Sequence, residues 1–330
     1  MKNKSPANRG TGSPEAWPKI AVRATQPDVT RFARIFVLAV ITLFPWTAAW
    51  SAGPLVLQSD FGVKDSAVAS MKGVAVSVSR DLDIYDLTHE IPTYNIWEAS
   101  LRLAQAAEYW PIGTVFVSVV DPGVGTERKS VVLKTKSGHY FVSPDNGSLT
   151  AVAELLGVEA VREIDEAINR LANSEKSYTF HGRDVYAYTG ARLAADVISF
   201  EEVGRELPAE VLSIAYQKPR FDHGRVYGNI EILDPQFGNI WTNIDRETFK
   251  TLELEPGDKV SIEISNGNDV VLTQTLPYFP TFGRVPVGKP LLYLNSLNKV
   301  ALAINQGNYS NTHNIQSGAS WNIEIAKYNK

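Results

Sequence analysis

Two residues that could activate a small molecule stand seven positions apart in the loop DPGVGTER, residues 121–128. Asp121 offers a carboxylate that can accept a proton, and Arg128 offers a guanidinium whose charge is permanent. The loop joins two runs of β-forming residues, and its Pro and Gly residues have the backbone preferences that a plain turn also needs. The spacing leaves two interpretations open, a turn or part of a reaction site.

Three further clusters carry residues suited to chemistry or to ligand binding. SDFGVKD holds two carboxylates, TFHGRD holds a histidine in front of a predicted helix, and LDPQFGNIWTNI holds polar and aromatic side chains. Each has a structural alternative, namely a helix cap, a structural histidine and a turn at FGN. The candidates in these clusters are Asp60, Asp65, His181, Asp234, Phe237, Asn239 and Trp241.

Strands and helices alternate through the first half of the chain after Leu55. PLVLQSD, LDIYDLTHE and TVFVSVV predict strands, and NIWEASLRLAQAAEYW has the apolar spacing of an amphipathic helix. This alternation predicts an α/β N-terminal domain with a largely parallel sheet. Ligands bind beyond the carboxyl ends of the strands in such sheets, and Asp60 and Asp121 stand at two of those ends.

The pattern changes after about Gly204. Short strands separated by turns follow one another, among them RVYGNIEILD, KVSIEIS, DVVLTQT and KVALAIN. Their close spacing predicts a C-terminal antiparallel β-barrel or sandwich. We place the N-terminal α/β domain at residues 53–212 and the C-terminal β-barrel domain at residues 213–330.

The first 52 residues differ from the rest and are set apart from the fold. Residues 1–19 are polar and rich in Pro and Gly, which predicts disorder. RFARIFVLAVITLFPWTAAWSAG then places arginines, an apolar run and small residues in the order of a secretory signal peptide. Since the apolar run Ile35–Phe44 is short for a bilayer span, we expect export to the periplasm. A membrane-anchored or a cytoplasmic protein is the alternative.

Composition removes several classes of function. The formal net charge of −4 over 330 residues gives no broad positive field for nucleic acid. There is no cysteine, which excludes disulfides, thiolate zinc sites and cysteine nucleophiles. The five histidines lack ligand spacing, and GVGTER lacks the third Gly of a dinucleotide fingerprint. No metal or cofactor is therefore expected.

Taken together, the clusters resemble the S-adenosyl-L-methionine (SAM) hydroxide adenosyltransferase family, hydrolases related to the SAM-dependent fluorinase and chlorinase. The matching stretches are SDFGVKDS, MKGV, DLTHEIP, GTVFVSVVDPGVGTER, YFVSPDNGSLT, TFHGRD, DPQFGNIWTNI and YLNSLNKVALAINQGN. The resemblance implies an enzyme with an α/β domain followed by a β-barrel. It also implies a homotrimer, in which SAM lies between the first domain of one subunit and the second domain of its neighbour.

The resemblance also implies roles for individual residues. The catalytic trio would be Asp121, Arg128 and His181. Asp60 would bind the ribose hydroxyls, with Tyr94 packed near the ribose. The remaining substrate contacts would be Asp65, Asp234 and Ser296 at the methionine end, and Phe237, Asn239 and Trp241 around the adenine.

Three positions separate this chain from the halogenases of that group. The halogenases carry Tyr in place of Asp121, Ser in place of Gly182, and Arg in place of Leu297. The first two differences favour hydrolysis of SAM to adenosine and L-methionine, and the third leaves open what binds the methionine carboxylate. A SAM-dependent halogenase, or a nucleoside- or SAM-binding module without turnover, is the alternative.

The predicted trio suits this chemistry because the difficulty lies in the nucleophile. SAM is a sulfonium, so a neutral thioether leaves from C5′ without needing an acid, whereas water is a poor nucleophile. Arg128 would favour hydroxide character on the water. Either Asp121 or His181 would take the proton, and the sequence leaves that choice open.

Overall fold

A mixed seven-stranded sheet forms the N-terminal part of the computed structural model, which describes residues 53–328. Its strands are β1 Leu55–Ser59, β2 Ile84–Thr88, β3 Val115–Val119, β4 Ser130–Thr135, β5 Tyr140–Pro144, β6 Val158–Glu163 and β7 Glu206–Leu207. They lie in the order β2-β1-β3-β5-β4-β6-β7. The pairs β2–β1, β1–β3 and β3–β5 are parallel, and the remaining pairs are antiparallel.

Helices cover both faces of this sheet. They are α1 Ala67–Val78, α2 Ile96–Ala107, α3 Thr150–Leu156 and α4 Tyr188–Ala194, with a π-helical turn at Gly182–Ala187 and a 3₁₀ turn at Glu201–Val203. Successive side chains of a strand point to opposite faces. Leu55 and Leu57 accordingly pack with α1 and α4, whereas Val56 packs with α2 and α3. Both strands are buried on both sides, which fits their apolar content of three residues in five for β1 and four in five for β3.

An eight-stranded antiparallel sheet forms the C-terminal part. Its strands are β8 Arg220–Asp222, β9 Arg225–Leu233, β10 Ile240–Asp245, β11 Lys259–Asn266, β12 Asp269–Pro277, β13 Pro290–Leu294, β14 Lys299–Ile304 and β15 Trp321–Lys327. The order is β12-β11-β15-β9-β10-β14-β13, with β8 added to β9. A bridge between Tyr278 and Leu292 joins the two ends, so the sheet nearly closes into a barrel. The helices α5 Arg246–Lys250 and α6 Tyr309–His313 and a 3₁₀ turn at Phe282–Arg284 connect strands.

Helix α2 connects the two sheets. The Trp97 indole donates a hydrogen bond of 2.7 Å to the Glu231 carbonyl, and Arg102 donates one of 3.0 Å to the Leu233 carbonyl. Trp97 and Leu101 also pack against the buried Ile232. Helix α2 thus contributes to two hydrophobic cores, because one side faces the first sheet and the other faces β9.

The predicted α/β fold followed by an antiparallel, barrel-like sheet is confirmed. SVVLKT and HYFVS pair as the expected hairpin, β4 with β5. The sequence pattern does not predict strand β6, because three of the six residues in VEAVRE are charged and only Val161 is buried.

The domain boundary between residues 212 and 213 stays a prediction. The predicted disordered segment and signal peptide, residues 1–52, lie outside the described residues. Within residues 53–328, no helix combines the length and the apolar character needed to cross a membrane.

Candidate active site

The loop after β3 folds Arg128 back onto Asp121. Arg128 Nε lies 2.9 Å from Asp121 Oδ1, and Nη2 lies 2.5 Å from Oδ2, so the contact is bidentate. The turn is closed by Thr126, whose backbone and hydroxyl both donate to the Gly123 carbonyl, and Gly125 has a φ of 79°. Only 11% of the Arg128 side chain and 5% of the Asp121 side chain are exposed. The loop therefore builds a nearly buried ion pair, which a plain turn does not require.

His181 completes a cluster with this pair. Its Nδ1 lies 3.1 Å from Arg128 Nη2. Because a guanidinium can only donate, Nδ1 must accept, and a neutral His181 then carries its ring hydrogen on Nε2. Burial lowers the pKa of His181 below its ordinary value near 6.5, with Arg128 acting in the same direction and Glu166 opposing it. The imidazole is therefore neutral at pH 7.

The Ser130 hydroxyl contacts the guanidinium directly, and the Tyr186 hydroxyl is linked to it through Ser130. Arg128 Nη1 lies 2.9 Å from Ser130 Oγ, and this oxygen lies 3.1 Å from the Tyr186 hydroxyl. The Tyr186 hydroxyl is also 3.5 Å from Asp121 Oδ2. Burial raises the pKa of Tyr186 far above its ordinary value, so the phenol stays protonated as a donor. Although burial by itself would lower it, the hydrogen bonds that Arg128 donates to Asp121 raise the pKa of Arg128, so the guanidinium keeps its charge.

The cluster stands at the wall of a cavity of about 270 Å³ at the carboxyl ends of β1 and β3. Such a volume is just below the roughly 300–1,000 Å³ of typical small-molecule sites. Four of the predicted site residues contribute to its lining, Asp60, Tyr94, Asp121 and His181. The other lining residues are Phe61, Thr93, Val119, Val124, Thr179 and Gly182.

Asp60 and Tyr94 are fixed to each other. Asp60 Oδ2 accepts a hydrogen bond of 2.9 Å from the Tyr94 backbone N–H. Tyr94 has a φ of 65°, a conformation that non-glycine residues rarely adopt, and 68% of its surface is exposed. The carboxylate is thereby held at the cavity by the segment that follows β2.

Gly182 allows the opposite wall to close. A Cβ atom at this position would lie 3.0 Å from the Phe61 ring and 3.3 Å from the Val119 side chain. Phe61 in turn makes an edge contact with Phe180, with ring centroids 5.8 Å apart. A side chain at position 182 would therefore displace Phe61.

The other predicted site residues lie elsewhere among the described residues. Asp234 accepts hydrogen bonds from the backbone N–H groups of Gln236 and Phe237, in the loop between β9 and β10. Asn239 lies in the same loop and reaches Asp234, 3.4 Å away. Trp241 packs in the contact between α2 and β9, and Asp65 accepts from the Ala67 backbone at the start of α1.

Ser296 lines a second cavity, of about 460 Å³, between α2, α3 and the turn before β14. One chain therefore gathers Asp60, Tyr94, Asp121, Arg128 and His181 at one site. The cavity beside Asp121 is not lined by Asp65 or by the five C-terminal candidates, Asp234, Phe237, Asn239, Trp241 and Ser296.

Sequence reasoning missed Ser130, Tyr186 and Phe61. Ser130, the first residue of β4, stands only two positions after Arg128, and this short spacing is a sequence signal for their contact. Tyr186 follows His181 by five positions, and an α-helix does not place residues five apart on one side. The segment is π-helical, with i to i+5 hydrogen bonds, so the phenol returns to the cluster.

A buried carboxylate, guanidinium and imidazole beside a cavity at the ends of parallel strands define this protein as an enzyme acting on a small molecule. The chain belongs to the SAM hydroxide adenosyltransferase family. The N-terminal domain of that family matches residues 55–204, and its C-terminal domain matches residues 228–322.

Named relatives and a solved structure agree with this membership. The chain is 40% identical to the (R)-S-adenosyl-L-methionine hydrolase of Methanocaldococcus jannaschii over 66% of this chain and 75% of that protein. It is 30% identical to a fluorinase of Actinoplanes over 82% of this chain and 97% of the fluorinase. An uncharacterized conserved protein of Thermotoga maritima has a similar structure, with a TM-score of 0.73 and 35% identity over 83% of this chain and all of its own.

Proposed function

We propose that this protein hydrolyses SAM to adenosine and L-methionine by in-line attack of a water molecule on C5′. The observation that carries the proposal is the Asp121–Arg128–His181 cluster at the wall of the cavity that also holds Asp60. Relatives named as SAM hydrolases support the reaction, with M. jannaschii the example at 40% identity.

The reaction needs an activated water molecule more than an activated leaving group. The sulfonium leaves C5′ as the neutral thioether of methionine, and the oxygen of water becomes the 5′-hydroxyl of adenosine. Lowering the pKa of water from about 15.7 to about 7 corresponds to roughly 12 kcal/mol. A fixed guanidinium and the sulfonium itself are two positive charges that favour hydroxide in a site with little solvent.

The hydrogen-bond pattern supports Asp121 as the proton acceptor. Since Arg128 fills Nδ1 of His181, the neutral ring presents Nε2–H to the cavity and can donate to the oxygen of the water. Asp121 keeps acceptor capacity beyond its contacts with Arg128, because a carboxylate has about four lone-pair sites. In this scheme Asp121 takes the proton as the C5′–O bond forms and later releases it to solvent.

The substrate contacts divide between two subunits in our proposal. Asp60 accepts both ribose hydroxyls, and Tyr94 packs near the ribose. Asp65, Asp234 and Ser296 bind the methionine end. The adenine is held by Phe237, Asn239 and Trp241. Phe237 is 63% exposed in a single chain, and the cavity at Asp121 is smaller than typical small-molecule sites, which supports a site completed by a neighbouring subunit. The homotrimer is the assembly that the resemblance to the family implies.

A halogenase is the alternative that the fluorinase relatives raise. Two features weigh against it. Asp121 puts a carboxylate where a halide would have to bind, and like charges repel. The site also has Gly182 in place of the serine of the halogenases, and the Phe61 ring packs where a Cβ at this position would lie 3.0 Å from it.

The test is incubation of the purified protein with SAM in ¹⁸O-labelled water, followed by mass analysis of the adenosine. Label in the 5′-hydroxyl supports direct attack, and Asp121→Ala should remove most turnover while SAM still binds. Saturating chloride or fluoride is included in parallel. Formation of a 5′-halogenated adenosine would replace the hydrolase by a halogenase, and SAM binding without any product would leave a binding module.

A further inference from the structure

A chain of hydrogen-bonded side chains runs from the protein surface to the wall of the cavity behind Asp60. Lys72 Nζ lies 2.6 Å from Asp86 Oδ2, and Asp86 Oδ1 lies 3.0 Å from His89 Nε2. His89 Nδ1 lies 2.7 Å from Ser59 Oγ, which is 3.3 Å from the Phe61 backbone nitrogen. None of these residues has a part in the proposed chemistry.

The sheet brings the side chains of this hydrogen-bonded series together. Ser59 ends β1 and His89 directly follows β2, so both stand at the carboxyl ends of neighbouring parallel strands. The register shifts between Leu57 and Gln58, so that Leu57 pairs with Asp86 whereas Gln58 pairs with Thr88. Such irregularities re-aim side chains next to sites.

The hydrogen atoms of this hydrogen-bonded series can be assigned from the donors at its two ends, the Phe61 N–H and the Lys72 ammonium. The Phe61 N–H donates to Ser59 Oγ, so the hydroxyl hydrogen of Ser59 is available for Nδ1 of His89. Nε2 of His89 then donates to the Asp86 carboxylate. Although burial works in the other direction, hydrogen bonds from Lys72 and His89 lower the pKa of Asp86, which keeps it ionised as an acceptor.

Ser59, His89 and Asp86 have the residue types of a hydrolase triad, but their arrangement excludes a nucleophilic serine. Ser59 is fully buried and His89 is 3% exposed, so a substrate has no access to the hydroxyl. The Ser59 oxygen already accepts the Phe61 N–H. Ser59, His89 and Asp86 therefore have a structural role and do not attack a substrate.

The segment that they hold is the wall of the cavity. Ser59 fixes the Phe61 backbone, and the carbonyl of His89 accepts a hydrogen bond of 2.7 Å from Gly62. Asp60 stands between Ser59 and Phe61, directly before the two anchored backbone groups. We propose that His89 is a positioning residue for Asp60 and Phe61, and that it sets the affinity for the ribose of SAM through Ser59. This rests on the proposed function, because it takes Asp60 as the ribose ligand.

The test compares His89→Leu, His89→Asn and Ser59→Ala with a matched control, His139→Asn. His139 is equally buried at 4% exposure, and its ring nitrogens contact Ser137 Oγ at 2.9 Å and the Trp110 carbonyl at 3.0 Å. We measure KM and kcat for SAM, the Kd for adenosine and the melting temperature. His89→Leu and Ser59→Ala should raise KM and Kd roughly tenfold, with kcat within about threefold of wild type.

The conservative variant sharpens the result. An asparagine at position 89 can still accept from Ser59 but is too short for Asp86, so His89→Asn should recover part of the affinity. If the His89 variants lower only the melting temperature, as expected of His139→Asn, the positioning role is wrong. Wild-type protein that binds adenosine but leaves SAM intact would overturn the proposed function alone. Wild-type protein that binds no adenosine would overturn both.

Discussion

Arg128 lies at the centre of the cluster and separates the two candidate bases. It contacts both carboxylate oxygens of Asp121 and Nδ1 of His181, so no hydrogen bond joins Asp121 to His181 among the described residues. Arg128 therefore orients both side chains. A guanidinium suits this position because its donors form a rigid fork, which lysine lacks.

His181→Gln is the first prediction at the scale of single residues. A glutamine amide can place a donor near the position of Nε2, whereas the amide of asparagine ends short of it. If Asp121 takes the proton, His181→Gln should retain on the order of a tenth of wild-type kcat, and His181→Asn and His181→Ala should each lose at least about a hundredfold. Steady-state adenosine formation measures this. Equal loss in all three variants would make His181 the base.

The pH dependence follows from the lowered pKa of His181. Protonation puts a hydrogen on Nδ1, which then opposes the donor of Arg128, so wild-type kcat/KM should fall on the acid side as pH drops through this pKa. The midpoint of this fall should lie below pH 6.5, because burial and Arg128 both lower the pKa of His181. His181→Gln should lose this limb of the profile. A wild-type midpoint above 6.5 would contradict the assignment.

The Asp121–Arg128 ion pair leads to a prediction about the free energy of unfolding. Arg128→Met leaves the Asp121 carboxylate nearly buried without its partner and should lower the free energy of unfolding by about 3–5 kcal/mol at pH 7. The double variant Asp121→Asn with Arg128→Met should recover most of that loss while remaining inactive. Urea unfolding provides the measurement. If the double variant is no more stable than Arg128→Met, the loss comes from packing and not from the uncompensated charge.

At the scale of elements, α4 must approach the sheet closely to carry the π-helical turn to the site. A Cβ atom at Gly190 would lie 2.4 Å from the Val117 side chain of β3, whereas a Cβ at Gly73 of α1 meets nothing within 4 Å. Gly190→Ala should destabilise the protein by about 1–3 kcal/mol through overpacking. Gly73→Ala should stabilise it by about 0.4–1 kcal/mol. Thermal unfolding of both variants checks the opposite signs, and equal shifts would contradict the close approach.

The elements also show where sequence reasoning succeeds and where it stops. β1 and β3 are predictable because burial on both faces gives each a short, mainly apolar run, LVL in β1 and VFVSV in β3, followed by an aspartate within three residues. The proximity of Asp121 to Arg128 is encoded locally, in a loop of eight residues. The return of Tyr186 to the cluster is not, since a π-helical turn has no simple sequence pattern, and the contact depends on packing against β3.

At the scale of the whole molecule, we propose that residues 31–52 direct export. The order of charged, apolar and small residues is that of a secretory signal. Fractionation of cells that produce the protein with a C-terminal tag should place it in the periplasm, at a mass below that of the full chain. Replacing both arginines at positions 31 and 34 by glutamate should hold it in the cytoplasm. A full-length protein in the membrane fraction would indicate an uncleaved anchor.

The proposed division of the substrate between two subunits leads to the last prediction. His181→Ala damages the N-terminal half of a site, and Asn239→Ala damages the C-terminal half. If each site joins two neighbouring chains of a cyclic trimer, every mixed trimer contains one site in which both halves are intact. Co-expression with two different tags and purification through both isolates these mixed trimers. They should regain about a third of wild-type specific activity, although each variant alone is inactive. Mixed assemblies of verified composition without any recovery would place the whole site within one chain.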